Sequence, residues 1–106
     1  MAKSIQKKIV KNNDKLAKNE VFEALRSLKE WKLKGNSIVK SFKTKGFPQT
    51  MGLTIAVGAI CQAHDHHPDY LTMKYDSVEV SFSSHDVKGL SSRDIKIAKE
   101  IDKLKF

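Results

Sequence analysis

Cysteine is nearly absent from this sequence, which contains only Cys61. A single cysteine excludes an internal disulfide, and it also excludes zinc or iron–sulfur sites built from several cysteines. Chains without disulfides are typical of reducing compartments, so we predict a cytoplasmic protein. Long hydrophobic runs are lacking too, because the longest, residues 51–61, contains two glycines and is too short to cross a bilayer. No apolar run follows the basic N-terminus, which argues against a secretory signal.

Acidic residues are scarce in the first half of the chain, and the formal net charge of the whole is +8. Residues 1–46 contain 13 Lys or Arg and 4 Asp or Glu, a net charge of +9, whereas residues 47–106 contain 7 and 8, a net charge of −1. Arg26 is the one arginine in the basic half, and arginines do not alternate with aromatic residues. Lysines in such a pattern mostly cover a solvated surface, which makes nucleic acid an unlikely partner.

The length of 106 residues fits one domain of ordinary globular composition, with 40 % hydrophobic and 30 % charged residues. Residues 1–12 are basic and lack a hydrophobic period, so we predict a flexible or partly helical extension. Residues 13–106 then form a single domain. A domain of this size buries a modest core, which favours association into oligomers.

Hydrophobic periodicity predicts a first helix and a first hairpin. The helix is expected over residues 13–30. Its apolar stripe consists of Leu16, Val21, Leu25 and Leu28. Two strand-like runs follow over residues 31–34 and 37–43, and Gly35-Asn36 between them is a two-residue turn signal for a β-hairpin.

Pro48 suits the first turn of a second helix, which we predict to end near residue 63. Its stripe is Met51, Ile55 and Ala59, and because the segment is nearly uncharged we expect burial on more than one side. Strands over residues 70–75 and 77–84 make a second hairpin with its turn near residues 76–77. The run from Ser91 to Asp94 matches a capping box at the start of the last helix.

The predicted order is therefore α-β-β-α-β-β-α. Two hairpins supply a four-stranded antiparallel sheet, and three helices cover one of its faces. This is an α+β fold, without a repeat or an internal linker.

All four histidines fall between His64 and His85, which is the most informative feature of the sequence. The unperturbed pKa of imidazole, about 6.5, is near neutral, so a group of imidazoles in one cleft can both donate and accept protons. His66 and His67 lie where a helix leads into a strand, and His85 follows the partner strand. Antiparallel pairing brings residues 67–70 and 83–85 together, which predicts that the three rings face one pocket.

Two other interpretations of these histidines stay open at this point. His64, His66, His67 and His85, with Asp65 and Asp69, include suitable metal ligands, although neither an H-x-x-x-H pair nor an H-E-x-x-H motif is present. Alternatively, the histidines are surface or helix-capping residues without a chemical role.

Several intervals in the second half match a known family. His66-His67-Pro68 is followed after six residues by the aromatic Tyr75, after nine more by His85, and after eight more by Asp94. The segment SSHDVKGLSSRD that ends at Asp94 matches as well. In these features the chain resembles the pterin-4a-carbinolamine dehydratases of the dimerisation-cofactor type.

That resemblance implies dehydration of 4a-hydroxytetrahydrobiopterin to quinonoid dihydrobiopterin, without a metal or a bound cofactor. It implies that His66 and His85 are the acid/base pair and that His67 orients the pterin and assists. The substrate-binding residues that it implies are Asp65, Pro68, Ser83, Ser84, Asp86 and Asp94. Of these, we expect Asp94 to cap a helix or shape the pocket. Tyr75, the aromatic residue of the family pattern, is expected to pack the hairpin.

One position departs from the family pattern. The family often has an acidic residue four positions before the first histidine of the pair, where this chain has Gln62. Gln62 can form hydrogen bonds but cannot carry charge, so we expect an altered rate rather than a lost reaction.

The resemblance also implies an interaction role. Proteins of this family can bind the dimerisation helices of a transcription factor, and that role would add the nucleus to the expected location. The helix over residues 48–63 is apolar enough to pack against a partner or a second copy, which predicts a homodimer or a homotetramer.

Overall fold

The computed structural model describes residues 14–106, so the predicted extension over residues 1–12 lies outside the described residues. Three α-helices and four strands follow in the predicted order. The bounds are α1 (Lys18–Leu25), β1 (Lys32–Lys34), β2 (Ser37–Lys43), α2 (Phe47–Ala63), β3 (Tyr70–Met73), β4 (Ser77–Phe82) and α3 (Ser92–Asp102). A short 3-10 helix, His85–Val87, lies between β4 and α3. None of the helices in the described part is long and apolar enough to span a membrane.

The four strands form one antiparallel sheet in the order β1-β2-β4-β3. The hairpin turn between β1 and β2 lies at the predicted place, and Gly35 there has a φ of 60°, a left-handed conformation that glycine adopts without steric cost. Side chains alternate across the sheet, so one face is apolar and is covered by the helices. The buried residues of that face are Ile38, Phe42, Val78, Val80 and Phe82. The fold class predicted from the sequence is therefore confirmed.

Lys40 is the charged exception on the covered face of the sheet. Its ammonium lies 2.9 Å from Asp102 at the end of α3, and its side chain is only 12 % exposed. Trp31 donates its indole N–H to the same carboxylate at 3.0 Å. The Lys40 ammonium also lies 4.6 Å from the centre of the Phe42 ring. These contacts tie the last helix to the sheet.

Helix α1 is shorter than the periodicity predicted. Leu16 lies before the helix, because its backbone N–H donates to the carbonyl of Leu90 at 2.7 Å. The Glu20 carboxylate accepts from the backbone N–H of Ala17 at 2.6 Å, which stabilises the helix start. After Leu25 the chain continues in turns up to Glu30, whose φ of 67° is left-handed and incompatible with helix.

Helix α2 begins and ends close to the predicted bounds but is buried on one side only. Its buried residues are Thr50, Leu53, Val57 and Cys61. The predicted stripe faces the other way: Met51 and Ile55 are 37 % and 65 % exposed, and Ala59 is exposed as well. The expectation of burial on several sides is thus wrong for the single chain. The reason is that a segment apolar all round carries no periodic signal to indicate which side meets the sheet.

Candidate active site

The candidate site lies where the end of α2 meets the open end of the β3–β4 hairpin. Helix α2 stops at Ala63, and the chain reverses through Asp65, whose φ is 51°. The backbone N–H of His66 then donates to the carbonyl of Cys61 at 3.1 Å. Pro68 follows, and the N–H of Asp69 donates to the carbonyl of Ser81 at 2.7 Å, which extends the ladder of β3 and β4 toward the histidines.

His85 reaches the same place from the other strand of the hairpin. It begins the short 3-10 helix, which is separated from the end of β4 by Ser83 and Ser84, and a β-bridge between Ser84 and Gly89 closes that loop. The ring centres of His67 and His85 lie 6.3 Å apart in an edge-to-face arrangement. The hairpin tip is at Tyr75 and Asp76, one residue before the predicted turn, because Lys74 donates to the carbonyl of Ser77.

A cleft of about 250 Å³ opens between these segments. It is lined by Asp65, His66, His67, Ser83, Ser84, His85, Asp86 and Arg93. All three histidines and four of the predicted substrate-binding residues are therefore brought together. Pro68 and Asp94 do not line the cleft: Pro68 follows His67 in the segment that leads to β3, and Asp94 is fully buried and contacts His66.

His66 is held by a buried carboxylate. Its Nε2 lies 2.7 Å from Oδ1 of Asp94, whose side chain has no exposed surface. Because a carboxylate oxygen accepts, the Nε2–H of His66 is the donor of this hydrogen bond, and Nδ1 is the ring nitrogen left for another partner. The His66 ring also stacks on Phe82, with the ring centres 5.8 Å apart. Both the hydrogen bond and the stacking fix the ring.

Asp94 also caps α3, as the capping-box pattern predicted. Its Oδ2 accepts from the backbone N–H of Ser91 at 2.9 Å and from the hydroxyl of Ser84 at 2.8 Å. Asp94 therefore shapes the pocket through His66 and starts the helix at the same time.

His85 has its own carboxylate, Asp69, which the sequence indicated only as a metal ligand. His85 Nε2 lies 2.9 Å from Oδ1 of Asp69, and the Ser83 hydroxyl donates to the same oxygen at 2.6 Å. The hydroxyls of Ser37 and Ser81 donate to Oδ2 at 2.9 and 2.8 Å. Burial raises the pKa of Asp69, but hydrogen bonds from Ser83, His85, Ser81 and Ser37 together outweigh it, so the pKa is lowered.

Other polar residues of the cleft have different surroundings. The guanidinium of Arg93 donates to Asp86 at 2.6 Å, and this hydrogen bond lowers the pKa of the Asp86 carboxyl. Arg93 did not stand out in the sequence as a residue of the cleft, because it lies inside the capping-box segment. Besides its ring contact with His85, His67 has a long hydrogen bond of 3.3 Å between its Nδ1 and the Pro68 carbonyl. In contrast to His66 and His85, it has no carboxylate partner among the described residues.

Three further residues singled out in the sequence lie outside the cleft lining. Tyr75 stacks on Phe47 at the start of α2, with ring centres 6.4 Å apart, which agrees with a packing role. Gln62 is exposed near the end of α2, and His64 caps the C-terminus of that helix. Within residues 14–106, no three His, Cys, Asp or Glu side chains are placed to hold one metal ion.

Residues 14–104 match a family model described as pterin 4 alpha carbinolamine dehydratase. A protein of Aquifex aeolicus is 37 % identical over 90 residues, which cover 85 % of this chain and 90 % of that protein. One of Sulfurisphaera tokodaii is also 37 % identical over 90 residues, covering 85 % and 96 %. Both carry the name "Putative pterin-4-alpha-carbinolamine dehydratase".

Two solved structures share the fold. A transcriptional coactivator/pterin dehydratase from Brucella melitensis aligns with a TM-score of 0.78 and 32 % identity, over 84 % of this chain and 96 % of that one. A pterin dehydratase-like protein, described as a RuBisCO assembly factor in the alpha-carboxysome, aligns with a TM-score of 0.59 over 69 % and 86 % of the two chains. At 17 % identity, that second likeness concerns the fold alone.

Proposed function

The chain belongs to the pterin 4 alpha carbinolamine dehydratase family, and from this membership we propose that it dehydrates a 4a-hydroxytetrahydropterin. The substrate is 4a-hydroxytetrahydrobiopterin or a close relative, and the product is the quinonoid dihydropterin. The reaction serves the recycling of tetrahydrobiopterin.

The reaction consists of two proton transfers around one bond cleavage. An acid protonates the 4a-hydroxyl, the C4a–O bond breaks, and water leaves. A base removes the proton of N5, and the electron pair of that N–H bond forms the C4a=N5 double bond. Nothing is oxidised or reduced overall, so one group able to donate a proton and one able to accept it meet the chemical need.

His66 and His85 are the proposed acid and base, and His67 orients the pterin ring and assists. Both His66 and His85 donate through Nε2 to a carboxylate, which leaves Nδ1 as the atom that exchanges protons with the substrate. Asp65, Ser83, Ser84 and Asp86 surround them as polar contacts for the pterin. The observation that carries the proposal is this pair of carboxylate-bound histidines at one cleft.

The test is a dehydratase assay on the full chain with chemically generated 4a-hydroxytetrahydropterin, in the presence and absence of EDTA. His66→Ala and His85→Ala should each lower kcat by about 10²- to 10⁴-fold, the usual contribution of general acid–base catalysis. His64→Ala is the matched control, because it removes the same ring outside the cleft and should leave turnover unchanged.

The outcomes separate the alternatives. Turnover that survives EDTA and falls in both cleft variants supports histidine acid/base chemistry. Turnover abolished by EDTA would favour the metal alternative. Wild-type turnover no faster than the spontaneous reaction would leave the interaction role as the better proposal. In that case Gln62→Glu, which restores the acidic residue that the family often has at this position, is the first variant to test.

A second role, in assembly, is favoured by the exposed side of α2. No charged residue occurs in residues 47–63, and Phe47, Met51 and Ile55 are 44 %, 37 % and 65 % exposed. Contiguous apolar surface of this kind is typical of a protein interface. We propose that this side pairs with a second copy in a homodimer or homotetramer. A helical segment of a transcription factor is the alternative partner, since the relative from Brucella melitensis is described as a transcriptional coactivator.

A further inference from the structure

The two carboxylate-bound histidines differ sharply in their surroundings. The His66 side chain is 10 % exposed and stacks on Phe82, so packing fixes its ring as well as its hydrogen bond to Asp94. The His85 side chain is 72 % exposed. Its recorded side-chain contacts are the hydrogen bond to Asp69 and the edge-to-face contact with His67. An exposed imidazole on a short 3-10 helix has several accessible rotamers, and among residues 14–106 the bond to Asp69 is the hydrogen bond that favours one of them.

Both oxygens of the Asp69 carboxylate are fully hydrogen-bonded. Four donors from four positions of the chain reach its two oxygens, so each oxygen accepts two hydrogen bonds. The three hydroxyls of Ser37, Ser81 and Ser83 come from the uncovered side of the sheet. Ser37 lies at the start of β2, next to the turn of the first hairpin, and therefore links that hairpin to the site. The carboxylate is 19 % exposed and has little freedom to move.

We infer that Asp69 is the positioning residue for His85. This assignment rests on the proposed function. Asp69 fixes the ring so that Nδ1 faces the cleft, keeps the proton on Nε2, and stabilises the imidazolium that forms when His85 takes up a proton. Ser37, Ser81 and Ser83 keep the carboxylate in place and ionised. Carboxylates that bind a functional histidine through its second nitrogen act in the same way in many sites.

The charged and titratable groups around His85 are consistent with this role. His67 faces its ring, Asp69 binds its Nε2, and Asp86 next along the chain is already paired with Arg93. Asp69 is thus the one carboxylate among the described residues that is recorded in contact with the His85 ring.

Kinetics of Asp69→Asn test the inference. The variant keeps the size of the side chain and removes its charge. We expect kcat to fall by about 10- to 100-fold, the usual effect of losing a carboxylate that orients a functional histidine. KM should change by no more than about two- to threefold. Asp76→Asn is the matched control, because Asp76 is an exposed aspartate at the hairpin tip, paired with Lys43, and should leave both constants unchanged.

A double-mutant cycle decides whether Asp69 acts through His85. In a His85→Ala background, Asp69→Asn should have no further effect on kcat, whereas in a His66→Ala background it should retain its full effect. An equal effect in both backgrounds would overturn the inference and indicate a general structural role. Ser37→Ala, which leaves the charge in place, should lower kcat a few-fold and show the same dependence on His85 if Asp69→Asn does not fold.

A readout independent of turnover separates this inference from the proposed function. In the wild-type protein without substrate, proton NMR should show contacts from the His85 ring to the β-protons of Asp69 and to the His67 ring. These contacts should vanish in Asp69→Asn while those between His66 and Phe82 persist. If these contacts are present but the protein shows no dehydratase turnover, the result supports the positioning of His85 by Asp69 and contradicts the proposed function. A freely rotating His85 ring in the wild type overturns the positioning role whatever the turnover.

Discussion

His66 donates to Asp94 across 2.7 Å, and the same carboxylate starts helix α3 by accepting from the backbone of Ser91. One fully buried side chain therefore joins the end of α2, the start of α3 and the candidate cleft. Because the carboxylate that binds His66 belongs to the first turn of α3, the position of His66 depends on the packing of the last helix against the rest of the domain.

Asp94→Ala should damage both stability and activity. It leaves the backbone N–H of Ser91 and the His66 ring without their acceptor, while the Ser84 hydroxyl keeps the Ser91 hydroxyl as a partner. We expect a loss of about 3–5 kcal/mol in the free energy of unfolding. Ser91→Ala is the comparison variant: it removes the cap and should cost about 1 kcal/mol while His66 stays bound. Urea titrations and the dehydratase assay measure the two effects. Wild-type turnover in Asp94→Ala would contradict the role given to this contact.

Asp102→Ala should destabilise the domain through Lys40. The ammonium of Lys40 would be left 12 % exposed over the Phe42 ring without its carboxylate, and Trp31 would lose its acceptor. Breaking a pair this well covered costs about 3 kcal/mol, whereas replacing both partners with Met and Leu should be close to neutral. Urea unfolding measures both variants. Asp76→Ala breaks the exposed Lys43 pair and should change stability little.

Alternation and periodicity were sufficient to predict the order of the elements, because each strand has one apolar face and each turn has its usual residues. The meeting of His67 and His85 followed from the same reasoning, since the register of a hairpin determines which of its ends come together. Local signals also predicted the capping box at Ser91 and Asp94.

Features that depend on distant contacts could not be predicted in this way. Helix α1 starts later than predicted because the backbone N–H of Leu16 is hydrogen-bonded to the carbonyl of Leu90. The hydrogen bonds of Asp69 could not be predicted either, because one of them comes from Ser37 in the distant first hairpin. Ser81 in β4 and Ser83 just after it alternate with apolar residues, which indicated that hydroxyls lie on one side of this segment but not that they bind one carboxylate. The exposed side of α2 was unpredictable because apolar residues surround that helix.

The lowered pKa of Asp69 makes part of the stability dependent on pH. A carboxyl whose folded pKa lies below its unfolded pKa, about 3.9, stabilises the fold fully above the unfolded pKa. That contribution is lost as the pH falls through the folded pKa. The difference in unfolding free energy between wild type and Asp69→Asn should therefore be largest near neutral pH and shrink in acid. Urea titrations of both proteins across this range measure it, and a difference independent of pH would contradict the assignment.

The exposed side of α2 should control association. Ile55→Lys places a charge in the centre of that apolar surface, where the wild-type side chain is 65 % exposed, so the single chain should stay folded. Burying a lysine in an apolar interface is unfavourable, and the apparent mass by light scattering should fall toward that of a monomer across a concentration series. Phe22→Lys is the control, because it makes a similar change at a 57 % exposed site on α1. An unchanged mass in Ile55→Lys, or an equal fall in Phe22→Lys, would exclude α2 as the specific interface.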